Sequence, residues 1–156
     1  ALEGVSSDYY KAGVVTKLAE AGTIDNSVQV ELIAVAGKGI SSDYYSAASL
    51  KSILEHQRLN DEAFRQTVTA AGNINSANYA AEVLKAASKD QLNKERLTAL
   101  LQATSGISSD HYLSEVLSAV APQVKNADGA VKDAYRAAAK RINNETYYGR
   151  ALKAID

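Results

Sequence analysis

One six-residue pattern constrains this chain more than any other feature. Val5-Ser-Ser-Asp-Tyr-Tyr10 returns as Ile40-Ser-Ser-Asp-Tyr-Tyr45, as Ile74-Asn-Ser-Ala-Asn-Tyr79, as Ile107-Ser-Ser-Asp-His-Tyr112 and as Ile142-Asn-Asn-Glu-Thr-Tyr147. The starts at 5, 40, 74, 107 and 142 are separated by 35, 34, 33 and 35 residues. Five occurrences at near-constant spacing mark a tandem repeat. Each copy is then one supersecondary unit, able to bury its apolar face only against its neighbours.

The pattern reads as a helix start. Ser6, Ser41, Asn75, Ser108 and Asn143 are good N-cap residues, whose side-chain oxygens take an unpaired amide of the first turn. Asp8, Asp43, Asp110 and Glu145 follow two places later, the favourable charge for a helix N-terminus, with Ala77 the exception. Counted from these caps, the preceding apolar residue and the later tyrosine stand at N′ and N4. A hydrophobic staple is therefore expected between Val5, Ile40, Ile74, Ile107, Ile142 and Tyr10, Tyr45, Tyr79, Tyr112, Tyr147. A tyrosine-lined groove is the alternative reading of the same row.

Apolar residues then recur at helical spacing and define a first helix, A, of about 13 residues in each copy. Its buried face is expected at Val14, Val15 and Leu18, at Leu50 and Ile53, at Val83 and Leu84, at Val116, Leu117 and Val120, and at Leu152 and Ile155. A second helix, B, completes each unit. Asn60 between Leu59 and Phe64, and Asn93 between Leu92 and Leu97, repeat the cap-and-staple arrangement. Gly22, Gly39, Gly72 and Gly106 fall where helices should stop, and the single proline, Pro122, falls in the A–B connection of the fourth copy. The expected fold is all-α: one domain over 1–156, a right-handed, gently curved α-solenoid of about four and a half two-helix repeats.

The period matches tetratricopeptide repeats, but the aromatic, glycine, alanine and proline positions of that family do not line up here. The pattern apolar–Ser/Asn–Ser/Asn–Asp–x–Tyr, followed by an apolar pair, resembles HEAT-like repeats in extracytoplasmic tails of bacterial membrane proteins, including sensor-type metallopeptidases. That resemblance covers almost the whole chain. It implies a helical scaffold outside the cytoplasm, with any peptidase domain lying elsewhere in a parent protein.

Composition agrees with a globular helical chain and narrows the chemistry. Hydrophobic residues make up 46% and charged residues 22%, ordinary values for a packed domain. The net charge of −1 gives no reason to expect nucleic acid or an anionic membrane as partner. No apolar run has the length of a membrane span, so no direct insertion is expected, and no signal-peptide pattern is legible. With no cysteine, disulfides, thiolate metal sites and cysteine nucleophiles are excluded. The chain opens on Ala1 rather than Met, which suggests processing or a piece of something longer.

No catalytic, cofactor-binding or metal constellation emerges. His111 and Glu115 lie four apart on one helix, a spacing that suits a shared metal, but no further ligands accompany them. His56, with Glu55 and Arg58 nearby, reads as part of an A–B connection. The serines are accounted for as caps, no nucleophile elbow is present, and Asp61–Glu62 opens a helix where acids are favourable.

Candidate partner-binding residues come from the repeat register instead. Tyr9, Tyr44, Asn78 and His111, with Thr146, occupy one slot that varies freely among polar types, the mark of a solvent-facing or groove-edge position. Lys51, Lys85 and Lys153, with Thr16 and Ser118, form a row along the A helices, either a solvated face or a line of cations for an acidic partner. The ends differ in charge. Residues 1–50 carry three Lys against six acids, and residues 123–156 carry seven Lys and Arg against four acids. Both terminal A helices lack a B partner on their outer side. Head-to-tail association through Tyr148 and Arg150 is one reading of that pattern, and trimming from a longer array is the other. The expected function is a non-catalytic scaffold or binding module for a protein or peptide, without cofactor. The alternative is a structural subunit that self-assembles head to tail.

Overall fold

The computed structural model describes residues 7–156, and every described element is helical. In chain order these are α1 (Asp8–Glu20), α2 (Asn26–Ala34), α3 (Asp43–His56), α4 (Asp61–Gly72), α5 (Ala77–Ala87), α6 (Lys94–Ala103), α7 (Asp110–Lys125), α8 (Gly129–Ala139) and α9 (Glu145–Lys153). A π-helical turn, Val35–Gly39, extends α2, and a 3₁₀ turn, Thr104–Gly106, follows α6. The odd-numbered helices pack in sequence order, α1 on α3, α3 on α5, α5 on α7 and α7 on α9. The even-numbered helices form a second row, α2 on α4, α4 on α6 and α6 on α8, and the two rows share one core.

That core is built from the apolar face read in sequence. Leu50, Ile53, Val83, Leu84, Val116, Leu117 and Val120 are fully enclosed between the rows. Ile40, Ile74, Ile107 and Ile142 are buried at the turns before α3, α5, α7 and α9. In the first copy Val15 is buried, but Val14 and Leu18 remain 37% and 39% exposed. The residues at their register in later copies, such as Val83 and Ala87 or Val116 and Val120, are buried against the preceding odd helix. The described residues before α1 supply no such neighbour.

The N-caps stand one residue later than the sequence suggested. Ser42, Ser76, Ser109 and Asn144 accept from the amides of Tyr45, Tyr79, Tyr112 and Tyr147, where Ser41, Asn75, Ser108 and Asn143 were expected. Ser7 caps α1 without a side-chain bond, and Val5 and Ser6 lie outside the described residues. Adjacent Ser or Asn residues are near-equal caps by propensity. Using the second puts the acid at N1, and Asp43 then reaches the next copy. The tyrosines consequently stand at N3, not the N4 of a staple, and Tyr79, Tyr112 and Tyr147 pack partly buried against the core. Helices α4 and α6 have the staple positions, with Leu59 and Phe64, and Leu92 and Leu97, buried around the caps Asn60 and Asn93.

Among the breaker residues, Pro122 differs from expectation, whereas Gly39, Gly72 and Gly106 end their helical stretches as read. Pro122 lies inside α7, which continues to Lys125, so the odd helices range from 9 to 16 residues rather than a uniform length. Of the four glycines read as stops, only Gly22 has a positive φ, 129°. Gly72 ends α4 as read, and it also permits close approach: a Cβ there would lie 2.5 Å from the Ala103 carbonyl oxygen.

Candidate functional site

The repeat register turns single motif positions into ladders that run across the odd row. Asp8 Oδ2 accepts from the Ser42 amide at 2.8 Å, Asp43 Oδ2 from the Ser76 amide at 3.0 Å, and Asp110 Oδ2 from the Asn143 and Asn144 amides at 3.1 and 2.9 Å. The acid favoured by its own helix dipole is therefore also a clamp on the next helix start. Ala77 interrupts this ladder between α5 and α7. A second set of clamps closes the turns. Gln57 donates to the Ala19 and Gly22 carbonyls, both at 2.7 Å, and Gln123 donates to the Ser88 and Asp90 carbonyls, both at 2.9 Å. Arg141 donates to the carbonyls of Thr104, Ser105 and Ile107.

An aromatic ridge runs along the edge where the odd helices begin. Tyr10 meets Tyr9, Tyr9 meets Tyr45, Tyr45 meets Tyr44 and Tyr44 meets Tyr79, all edge to face with centroids 5.1–6.0 Å apart. Asn78 breaks the run, which resumes through Tyr112, His111 and Tyr147 at 4.9 and 6.1 Å. Edge-to-face contact satisfies the ring quadrupoles and holds the rings in place. Even so, Tyr9 and Tyr44 stay 62% and 57% exposed, and Asn78, His111 and Thr146 are exposed at the same register. The variable slot identified in sequence is a continuous surface row.

Two lysines of the row, Lys51 and Lys85, are ion-paired rather than free. Lys51 Nζ lies 3.7 Å from Glu82 of the next odd helix, and Lys85 Nζ lies 3.0 Å from Glu115. Each of these lysines bridges to an acid one copy on, a pairing that spacing within one copy cannot reveal. At the α7–α9 junction the same two positions hold Ser118 and Arg150, both exposed. Among the described residues no carboxylate lies within ion-pairing distance of Arg150. Lys153 is exposed beyond it, and Tyr148 is half-buried against the core.

Comparison with family models, with curated proteins and with solved structures returns no match.

A cleft of about 600 Å³ opens at this changed rung, lined by Lys85, His111, Ser118, Tyr147 and Arg150 among others. Glu115 also faces it, with Oε2 on Lys85 and Oε1 3.6 Å from His111 Nε2. The His111–Glu115 pair is thus engaged with Lys85 rather than converging on a metal position. Among the described residues no group of three His, Cys, Asp or Glu side chains is arranged to hold a metal ion. His56 is the last residue of α3 rather than part of a connection, and its Nδ1 lies 3.0 Å from the Ser52 carbonyl oxygen. No described helix is long and apolar enough to cross a membrane.

Proposed function

We propose that this chain is a non-catalytic binding scaffold, a right-handed α-solenoid of about four and a half two-helix repeats that presents its aromatic ridge to a protein or peptide. The observation that carries the reading is the run Tyr10–Tyr9–Tyr45–Tyr44–Tyr79, ordered by edge-to-face contacts yet open to solvent at Tyr9, Tyr10 and Tyr44. Tyrosine offers large contact area at low entropic cost, together with a hydroxyl, which is why it is enriched at protein interfaces. The in-order packing of odd on odd and even on even helices supports the solenoid, because nearest-neighbour stacking is what generates such extended surfaces. The HEAT-like resemblance, with a position outside the cytoplasm, belongs to the same proposal.

The test is selection of displayed peptides on the native chain and on a Tyr9→Ser, Tyr44→Ser double variant. Both residues are exposed, so the variant should stay folded, with only a modest fall in melting temperature from the lost ring contacts. Peptides enriched on the native chain should lose binding to the variant. Equal enrichment on both would overturn the ridge as the binding surface.

Head-to-tail self-assembly is a second reading, favoured by the exposure of Tyr10, Val14 and Leu18 on one face of α1. Light scattering over a concentration series on the native chain and on Val14→Asp tests it. Growth that the substitution abolishes supports assembly, and a monomer at every concentration sinks it.

A further inference from the structure

The ion-pair ladder and the cleft that interrupts it carry one inference more. Two successive rungs follow one rule: a lysine on one odd helix reaches an acid on the next, Lys51 to Glu82 and Lys85 to Glu115. The rule holds at neither flanking junction: α1–α3 has the neutral pair Thr16 and Ala48, and α7–α9 alone puts a cation at the acid's position. Ser118 replaces the lysine, and Arg150 replaces the acid, so a cation stands where a carboxylate would be. Loss of the bridging lysine stem leaves room, and the cleft between α7 and α9 lies there.

The charges around the cleft are Lys85, Arg150 and Glu115, with His111 beside them. Glu115 is held by Lys85 at 3.0 Å, so that pair is internally neutral. Arg150 then contributes an uncompensated positive charge and five donors in a planar fork, a geometry that matches a carboxylate bidentately. Ser118 adds a hydroxyl from the opposite wall, and His111 and Tyr147 form an aromatic wall with ring centroids 6.1 Å apart. The same two rings end the aromatic ridge, so the cleft lies at one end of the surface proposed to bind peptide.

We propose that this cleft binds a carboxylate side chain of an acidic peptide, with Arg150 as the charged anchor and Ser118 and His111 supplying further hydrogen bonds. In effect the ligand supplies the acid that the α7–α9 junction lacks. The inference rests on the reading of the chain as a peptide scaffold, but its test does not use the tyrosine ridge.

The test is nitrogen–proton NMR of the full chain titrated with an oligoglutamate peptide, and separately with the oligoglutamine peptide of equal length. Saturable shifts are expected at the Arg150 Nε group and at the Ser118 and Tyr147 amides with oligoglutamate alone. Arg150→Gln should weaken that binding roughly ten-fold, the loss of one charge-assisted contact. Arg136→Gln on α8, a surface cation outside the cleft, should leave it unchanged. Absence of saturable shifts, equal response to oligoglutamine, or equal loss in the Arg136 variant each overturns the proposal. Inorganic phosphate forms a separate arm: if phosphate moves these signals and oligoglutamate does not, the cleft is an oxyanion site and the carboxylate assignment is wrong. Failure here with retained ridge-dependent peptide selection would leave the scaffold reading standing.

Discussion

Asp43 Oδ2 lies 3.0 Å from the backbone nitrogen of Ser76, 33 residues further along the chain, and so ties the start of α3 to the start of α5. The same clamp joins Asp8 to Ser42 and Asp110 to Asn144, and it is missing where Ala77 takes the acid's place. Ala77→Asp should therefore stabilise the protein. It adds a carboxylate at a helix N-terminus and an acceptor for the Ser109 amide, together worth about 0.5–1.5 kcal/mol. For a chain of this size that is a rise of about 2–5 °C in Tm. Asp43→Ala should lose a similar amount. Calorimetry on both variants checks the pair, and an unchanged or lower Tm for Ala77→Asp would refute the clamp as a stabilising contact.

Gly72 and Gly149 should respond oppositely to alanine. Both lie in helices, where alanine is favoured over glycine by about 0.5–1 kcal/mol. At Gly149 a Cβ meets nothing within 4 Å, so Gly149→Ala should gain close to that amount. At Gly72 the new Cβ would press on the Ala103 carbonyl, and displacing backbone costs about 1–3 kcal/mol, which outweighs the propensity gain. Urea unfolding of the two variants gives the signs directly.

Gln57 is buried and bridges the first turn to the second copy. Its amide nitrogen donates to Ala19 and Gly22, and its oxygen accepts from Gln29 Nε2 at 3.2 Å and the Ile24 amide at 3.3 Å. Gln57→Leu would strand those partners, so a loss of about 2–4 kcal/mol is expected. Gln57→Glu should also destabilise, because a carboxylate would face two carbonyl oxygens. Hydrogen exchange should localise the weakening to α1, α2 and the turn between them.

Tyr135 gives a prediction about alkaline pH. Its hydroxyl donates to the Ala151 carbonyl at 2.8 Å, and burial pushes its pKa up from 10.0 to about 12. The folded state thus holds the proton more tightly than the unfolded chain. The associated stability is fully present below pH 10 and is lost as pH rises through about 12. On the order of 2 kcal/mol should disappear across that window. Tyr135→Phe should be less stable at neutral pH by about 1 kcal/mol, yet show a shallower alkaline loss. Unfolding titrations at several pH values compare the slopes.

The caps supply a sharper contrast. Ser42→Ala and Ser109→Ala should each cost about 1 kcal/mol, and Ser41→Ala and Ser108→Ala almost nothing. Ser46→Ala should also destabilise by about 1 kcal/mol or more, because Ser46 Oγ is buried and donates to the Ala36 carbonyl at 2.6 Å. Losses at Ser41 equal to those at Ser42 would mean that the helices begin one residue earlier.

By itself the sequence determined the helical class, the helix-by-helix order and most of the core. These rest on local properties: the apolar period of each helix, the capping chemistry, and a motif whose recurrence at 5, 40, 74, 107 and 142 is visible without coordinates. Leu50, Val83 and Leu117 are buried as their spacing required. Only the tertiary structure decided which residues meet across copies. Lys51 and Glu82 pair, and Asp43 reaches Ser76, because adjacent odd helices lie in contact, and no distance along one helix encodes that neighbour. The same dependence selected the second Ser or Asn of each cap pair, made Gly72 a packing residue as well as a stop, and left Arg150 facing a cleft. Capping and periodicity act over a few residues, whereas ion pairing and close approach depend on what packing brings alongside some 30–35 positions later in the chain.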